Sequence, residues 1–103
     1  MASSKEYLQF VLEQLSALTD VSYRPMMGEY VLYCHGVVVG GIYDDRFLLK
    51  PAKIARQLMP DAPTDIPYPG AKEMLVADVD DAELVCRAVE AIAAELSVSK
   101  RKR

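Results

Sequence analysis

Apolar residues change their spacing along the chain, and this change separates predicted helices from predicted strands. Near the start they recur every three or four positions, which is the spacing of one helix face. The positions concerned are Tyr7, Leu8, Val11, Leu12, Leu15 and Leu18. Ser3 and Glu6 precede most of them with the spacing of a capping box, so a first helix is predicted from about residue 4 to about residue 18.

The stretch from residue 21 to residue 50 is rich in Val, Tyr, Leu and Ile, a composition typical of strands. Residues 21 to 24 alternate and predict a first strand that ends near Pro25. His35-Gly36 and Asp44-Asp45 have the form of two-residue hairpin turns between apolar runs. Together the two turns predict four cross-strand pairs: Cys34 with Val37, Leu32 with Val39, Tyr43 with Arg46, and Gly41 with Leu48.

Strand alternation in this register assigns the side chains to two faces. The face predicted to lie beneath the helices is apolar throughout: Val31, Tyr33, Val38, Gly40, Ile42, Phe47 and Leu49. The opposite face is mixed and comprises Tyr30, Leu32, Cys34, Val37, Val39, Gly41, Tyr43, Arg46, Leu48 and Lys50. The adjacent glycines at 40 and 41 indicate either a bulge or a close approach by another element.

The remaining elements follow residue 50. Pro51 suits the first position of a helix and Pro60 ends one, so a short second helix is predicted over residues 51 to 59. Residues 60 to 70 contain four prolines and a glycine and predict a rigid surface loop. Residues 73 to 79 predict one more strand. Asp80 and Glu83 then form a second capping box before a third helix, whose apolar positions extend to Leu96.

The predicted element order is α-β-β-β-β-α-β-α. Because hairpin strands pair antiparallel, the fold class is α+β, a two-layer sandwich with helices on one face of a mostly antiparallel sheet. The chain has 103 residues, 51% apolar and 26% charged, which fits one globular domain and excludes disorder, collagen and a disulfide miniprotein. We therefore expect a single domain over residues 1 to 97 and a basic tail over residues 98 to 103.

The charge of the chain is unevenly distributed. Residues 100 to 103 are all Lys or Arg, whereas residues 1 to 99 hold 8 basic against 15 acidic residues, a net charge of −7. An acidic body disfavours the broad basic surface of a dedicated DNA-binding protein. The tail is typical of a solvated chain end, with contact to nucleic acid or to an acidic partner as the alternative.

The location of the protein is predicted from two absences in the sequence. No apolar run approaches the ~20 residues that span a bilayer. The polar N-terminus lacks the hydrophobic stretch of a signal peptide. We therefore expect a cytoplasmic protein with no membrane contact and with reduced thiols.

Few residues suit catalysis or metal binding. Cys34, Cys86 and the single histidine, His35, are too few for a structural zinc site, and neighbours such as Cys34 and His35 tend to diverge at a strand end. Asp44-Asp45 suits acid–base work or a metal, although a turn is the simpler interpretation. We expect no enzyme, no metal and no cofactor. Met26-Met27-Gly28 either fills a gap in the core, which we prefer, or forms an adaptable contact surface.

Eight residues are predicted to form one contiguous surface opposite the helices, and they are the candidate interaction face: Arg24, Tyr30, Leu32, Val39, Tyr43, Arg46, Leu48 and Lys50. An exposed apolar centre usually marks an interface, and Tyr and Arg are common anchors there. The basic residues favour a partner with carboxylates. A second copy of this acidic chain supplies them, so a homodimer is the first choice.

Three alternatives to this interaction face stay open. The face is solvated, or it is covered within the chain by the last strand or the 60–70 loop, or it binds nucleic acid. In the last case Arg24, Arg46, Lys50 and the tail would contact phosphates.

Two stretches resemble the N-terminal domain of the bacterial TfoX/Sxy family. They are Arg24-Pro25-Met26-Met27-Gly28-Glu29-Tyr30 and Gly41-Ile42-Tyr43-Asp44-Asp45-Arg46-Phe47-Leu48-Leu49-Lys50-Pro51. The family pattern has an arginine before a Met-x-Gly, then a hairpin, a Tyr-x-Asp-like turn and a strand that ends in lysine. The sequence near residues 67 to 70 also fits, and the similarity covers about residues 4 to 97. Met27 stands where many members have phenylalanine.

The resemblance implies a two-layer α/β sandwich similar to that of secretion chaperones, which bind proteins and often dimerise. The family is named for regulators of natural competence, and its fuller members add a C-terminal domain of helix-hairpin-helix character. We expect this chain to be the N-terminal domain standing alone. The family offers no catalytic residues to carry over, so the resemblance implies a regulatory or interaction domain that binds a protein partner or itself.

Overall fold

A computed structural model describes residues 3–101, with side-chain surroundings up to residue 97. The helices are α1 (Lys5–Gln14), α2 (Lys53–Leu58) and α3 (Ala82–Arg101). The strands are β1 (Val21–Met26), β2 (Glu29–Cys34), β3 (Val37–Tyr43), β4 (Arg46–Leu49), β5 (Thr64–Asp65) and β6 (Met74–Val76). They form one antiparallel sheet in the order β1-β2-β3-β4-β6-β5. The α+β prediction is confirmed, and β5 is a short additional edge strand within the proline-rich stretch.

The helix starts differ slightly from the predicted ones. Ser4, and not Ser3, caps α1 by accepting a hydrogen bond from the Tyr7 N–H at 3.1 Å. Helix α2 begins after Pro51, and Asp81 caps α3 by accepting from the Leu84 N–H at 3.3 Å. Helix α3 continues beyond Leu96 through Arg101, while residues 102 and 103 of the predicted tail lie outside the described residues.

The N-terminus of α2 is capped by a residue from another helix. The Glu95 carboxylate of α3 accepts hydrogen bonds from the Lys53 N–H at 3.1 Å and the Ile54 N–H at 2.9 Å. A carboxylate at this position satisfies free backbone donors and interacts favourably with the positive end of the helix dipole. The capping therefore ties a six-residue helix to the long α3.

Three two-residue turns connect the first four strands. Both predicted turns are confirmed, because His35-Gly36 and Asp44-Asp45 have positive φ at both positions, as a type I′ hairpin requires. Met27-Gly28 forms a third such turn between β1 and β2, with φ of 53° and 86°. The sequence pattern had placed these two residues between strands without predicting a hairpin there.

A bulge in β3 shifts the register between β2 and β3. Cys34 pairs with Val37 as predicted, but Leu32 pairs with Gly40 instead of Val39, so Val39 is the extra residue. A Cβ atom on Gly40 would overlap the Leu48 carbonyl oxygen of the neighbouring strand. The glycine is therefore required at this point, and the bulge interpretation of the adjacent glycines is confirmed.

The bulge reverses the predicted faces of β2, since a one-residue shift exchanges the two sides of a strand. Leu32 and Cys34 are fully buried in the core, whereas Val31 and Tyr33, predicted to be buried beneath the helices, lie partly exposed on the opposite face. The assignment made from the two turns is thus wrong for β2 and for the start of β3, where Val37 and Val39 lie on the core side. It is confirmed for Phe47 and Leu49 of β4 and for Ile42 of β3.

One core lies between the helices and the sheet. Its buried members come from α1, α2, α3 and the covered face of the sheet, and the largest are Phe47, Leu8, Leu32, Ile42, Leu49 and Ile92. Leu48 is equally buried but points to the other face of β4. The helix-free face of the sheet therefore carries its own covered region.

Strand β1 forms one edge of the sheet. Met26 and Glu29 pair beside their turn, and at the other end the His35 N–H donates to the Asp20 carbonyl at 2.9 Å. Alternate residues in between direct their backbone groups toward β2, and Pro25 directs its nitrogen outward. Because proline has no N–H, it removes an edge donor without breaking the ladder, which protects the edge against pairing with other chains.

Candidate functional site

The segment 66–73 lies against the helix-free face and is held there by Arg46. The guanidinium donates to the Asp65 carboxylate at 2.5 Å, to the Ile66 carbonyl at 3.1 Å and to the Pro67 carbonyl at 3.4 Å. Its Nε also donates to the Tyr43 carbonyl at 3.0 Å. Arg46 therefore serves as an internal clamp.

Leu48 lies on the same helix-free face of β4 as Arg46 and is 0% exposed. Its two neighbours on this face both lie beside the segment 66–73. Arg46 donates hydrogen bonds to it, and Lys50 lines a cavity together with Pro67 and Tyr68. Covering of the face within one chain was one of the alternatives open from the sequence, and the burial of Leu48 together with the Arg46 hydrogen bonds agrees with it.

The eight residues of the candidate interaction face do not form one surface, so that part of the prediction is wrong. The bulge places Tyr30, Leu32 and Val39 on the core side of the sheet. Leu48 is buried, and Arg46 is engaged by hydrogen bonds to the segment 66–73. Arg24, Tyr43 and Lys50 keep some exposure on the helix-free face, where the Arg24 guanidinium lies 5.9 Å from the centre of the Tyr33 ring.

A different surface is accessible at the tip of the β1–β2 hairpin, and we call it the methionine–tyrosine surface. It consists of Met26, Met27, Tyr43, Pro67 and Tyr68, which line a cavity of about 350 Å³ together with Glu29. Met27 is 97% exposed, Tyr68 57% and Met26 47%. The preferred interpretation of the two methionines as core residues is wrong, because they lie at a hairpin tip.

Tyr43 and Tyr68 bring the hairpin and the covering segment together. Their ring centres are 6.4 Å apart and their planes are inclined by 62°. A Cβ atom on Gly41 would lie 2.7 Å from the Tyr43 ring and 2.6 Å from the Tyr30 carbonyl oxygen. Gly41 therefore leaves the space in which the Tyr43 ring lies, a role consistent with the close approach considered for this glycine.

The N-terminal residues tie the hairpin tips together beside this surface. The Glu29 carboxylate accepts from the Ser3 hydroxyl at 2.6 Å and from the Asp44 N–H at 3.2 Å. The buried Ser3 hydroxyl also accepts from the Asp45 N–H at 3.0 Å, and the Ser4 N–H donates to the Asp45 carboxylate at 2.8 Å. Glu29 is thus fixed in orientation at the edge of the cavity.

A second cavity of about 310 Å³ adjoins the first on the other side of Tyr68. Tyr43, Pro67 and Tyr68 line both cavities. The charged side chains of the second are Lys50, Lys72 and Glu73. Tyr68 therefore lies between a cavity whose one charged residue is Glu29 and a cavity with two lysines and one glutamate.

Residues 13–89 match the model of the TfoX N-terminal domain. The chain belongs to the TfoX N-terminal domain family. A relative from Spirochaeta aurantia, described as an uncharacterized 12.7 kDa protein in the trpE 5′ region, is 41% identical over 78 residues. The alignment covers 76% of this chain and 68% of the relative. No solved structure matches the chain. The resemblance found in the motifs is confirmed.

The cysteines of this TfoX N-terminal domain are buried or partly buried. Cys34 is buried, and the Cys86 thiol donates to the Gln14 carbonyl at 3.1 Å. Burial raises the pKa of both thiols above the ordinary value, and Glu90 adds to the effect, so the nucleophilic thiolate is disfavoured. Within the described residues no group of three His, Cys, Asp or Glu side chains is placed to hold a metal ion. No helix there is long and apolar enough to cross a membrane.

The clamp of the TfoX N-terminal domain should depend on pH through Asp65. Its hydrogen bond from Arg46, followed by one from the Ile66 N–H, holds the pKa of Asp65 below its ordinary value of 3.8. A lowered folded-state pKa means that this stabilisation is complete above about pH 4 and is lost as the pH falls through the lowered pKa.

Asp65→Asn should therefore lower the free energy of unfolding at neutral pH and reduce the further loss on acidification. Urea unfolding followed by circular dichroism across this pH range measures both effects. Asp61→Asn, which changes an exposed carboxylate in the same loop, is the control and should follow the wild type. Identical acid dependence in wild type and Asp65→Asn would contradict the clamp.

Proposed function

We propose that this TfoX N-terminal domain is a non-catalytic interaction domain with a regulatory role, and that it binds a protein partner at the methionine–tyrosine surface. The proposal rests on Met27, which combines 97% exposure with a backbone φ of 53°. Large apolar side chains rarely occupy this left-handed region, because the conformation is strained for them.

Two separate costs coincide at Met27. The first is the backbone strain, which would be smaller for Gly or Asn. The second is the exposure of an apolar side chain to water, since the thioether is not buried in the free protein. A partner that covers Met27 removes the second cost, and flexible methionines suit such adaptable contacts. Exposed Met26 and Tyr68 beside it enlarge the apolar area available to the partner.

A binding role fits the chemistry of this surface better than a catalytic one. Glu29 accepts hydrogen bonds from Ser3 and Asp44, which fix its position. Burial, then Tyr68 and Glu29, raises the pKa of the Tyr43 hydroxyl, so this phenol is less ready to ionise. These groups are placed to hold a ligand in position.

The contacts of Arg46 weaken the alternative in which this face binds nucleic acid. Of the three basic residues that it invoked, Arg46 is engaged by Asp65 and by two backbone carbonyls. The two last residues of the tail lie outside the described part of the chain. A second copy of the chain is one protein partner of the proposed kind.

Met27→Asn should weaken partner binding by at least about tenfold while leaving the protein as stable or up to ~1 kcal/mol more stable. Asparagine relieves the left-handed backbone, and the apolar contact is lost. A photoreactive residue at position 27 identifies the cross-linked partner in cells. Capture of that partner by wild type and Met27→Asn gives the binding ratio, and urea unfolding gives the stability.

His35→Asn provides a matched control, because His35 has the same φ of 53° at the same position of the next hairpin turn. It should relieve the backbone equally and leave partner capture unchanged. Capture that is equal in Met27→Asn and wild type would falsify the proposed site. Cross-links only between copies of this chain would identify self-association as the function.

A further inference from the structure

The cavity beside Met27 has the lining of a site for a cation. It contains two tyrosine rings, two thioethers, a proline and one charged group, the Glu29 carboxylate. Among the described residues that line it, none is a lysine or an arginine. Its negative charge is therefore not balanced from within the cavity.

Glu29 is held in a position from which it can accept a further hydrogen bond. Its Oε1 accepts from the Ser3 hydroxyl and the Asp44 N–H, and its Oε2 is contacted only by the same Asp44 N–H at 3.2 Å among the described residues. A carboxylate has about four acceptor positions, so Oε2 keeps capacity for a ligand. The exposed Asp44 next to it adds negative potential.

Aromatic rings strengthen this preference for a cation. The faces of tyrosine rings attract Lys and Arg, and Arg does so more often because its planar guanidinium stacks on the ring. Tyr43 and Tyr68, inclined at 62°, offer two such rings within one cavity. An arginine that stacks there can also donate to Glu29, which a rigid, planar donor does with little loss of freedom.

We propose, on the basis of the function proposed above, that this cavity receives an arginine side chain of a partner protein. Charge complementarity favours a different protein over a second copy, because each copy carries a net charge of −3 and two copies repel one another. The lysines of the adjoining cavity disfavour the same side chain there. The arginine therefore binds on the Glu29 side of Tyr68. An apolar residue next to it in the partner contacts Met27.

The test uses three small probes: N-acetyl-leucyl-arginine amide, the same compound with citrulline, and the same compound with glutamate. Citrulline has the shape of arginine without its charge. Protein labelled at the methionine methyl groups reports binding by NMR, since Met26 and Met27 line the cavity and Met59 lies in the core. The arginine probe should move the signals of Met26 and Met27 and not that of Met59.

Citrulline should bind at least about fivefold more weakly than arginine, and glutamate should not bind. Glu29→Gln should lower the affinity for arginine to that for citrulline. If this variant loosens the hairpin tips, Tyr68→Leu and Asp44→Asn serve the same purpose, and each should weaken arginine binding.

Equal binding of arginine and citrulline would overturn the inference, as would the absence of any shift at Met27. In either case, loss of partner capture in Met27→Asn would still support the proposed function, so the two failures are distinguishable. Arginine binding without Met27-dependent capture would instead support the cation site and refute the proposed interaction with a protein.

Discussion

Replacing Leu48 by aspartate should unfold the protein. Leu48 is 0% exposed, on the face of the sheet that the segment 66–73 covers. The substitution removes the buried leucine, at ~2–5 kcal/mol, and places an unpaired carboxylate in its space, at a further ~3–5 kcal/mol. Small domains have a net stability of ~5–15 kcal/mol, so most of it would be lost.

Chemical denaturation followed by circular dichroism measures this loss. Ser22→Asp is a suitable control, because Ser22 lies on the same face of the sheet but is exposed at the edge strand. It should change the free energy of unfolding by less than about 1 kcal/mol. A folded Leu48→Asp variant with near wild-type stability would show that the face is open, as the sequence pattern had predicted.

Replacing Phe47 by alanine should lower the free energy of unfolding by ~3–5 kcal/mol. Phe47 is the largest fully buried side chain and packs between the sheet and the helices. Removing its ring leaves a cavity that the surrounding sheet cannot close. Urea unfolding of the wild type and of Phe47→Ala at one temperature measures this loss.

The chain contains only one other phenylalanine, which makes a matched comparison. Phe10 lies on α1 with 36% exposure and contacts Tyr7 at a ring distance of 6.4 Å. Phe10→Ala should therefore cost about 1 kcal/mol or less, since alanine also favours the helix. A loss below about 1 kcal/mol in Phe47→Ala would contradict the assignment of β4 to the core.

The parts of the fold that depend on residues close together in the sequence could be predicted from it. Two hairpin turns, the three helices and the core position of Phe47 followed from local spacing. The faces of β2 could not be predicted, because a single extra residue at Val39 reverses the start of β3 and, through the His35-Gly36 turn, the whole of β2. The adjacent glycines at 40 and 41 indicated a bulge, but they did not show where in β3 the register shifts relative to Val39.

The site depended on contacts between distant parts of the chain, and these were missed. Arg46 holds a segment about 20 residues away, and Glu29 is bound by Ser3 and Asp44 at separations of 26 and 15 residues. Met27-Gly28 begins with a large apolar residue, which rarely adopts the left-handed backbone of a type I′ turn, so its position at a hairpin tip was not recognised. Only the glycine in it indicated a turn.

The hydrogen bonds of Ser3 have a further consequence for binding. Hairpin tips are ordinarily among the most mobile parts of a protein, and a ligand that binds them must first restrict their motion. Here Ser3 and Glu29 hold the β1–β2 and β3–β4 tips together before any partner arrives. The methionine–tyrosine surface is therefore preorganised: its backbone loses little conformational entropy on binding, and the flexible thioethers of the two methionines do the adapting.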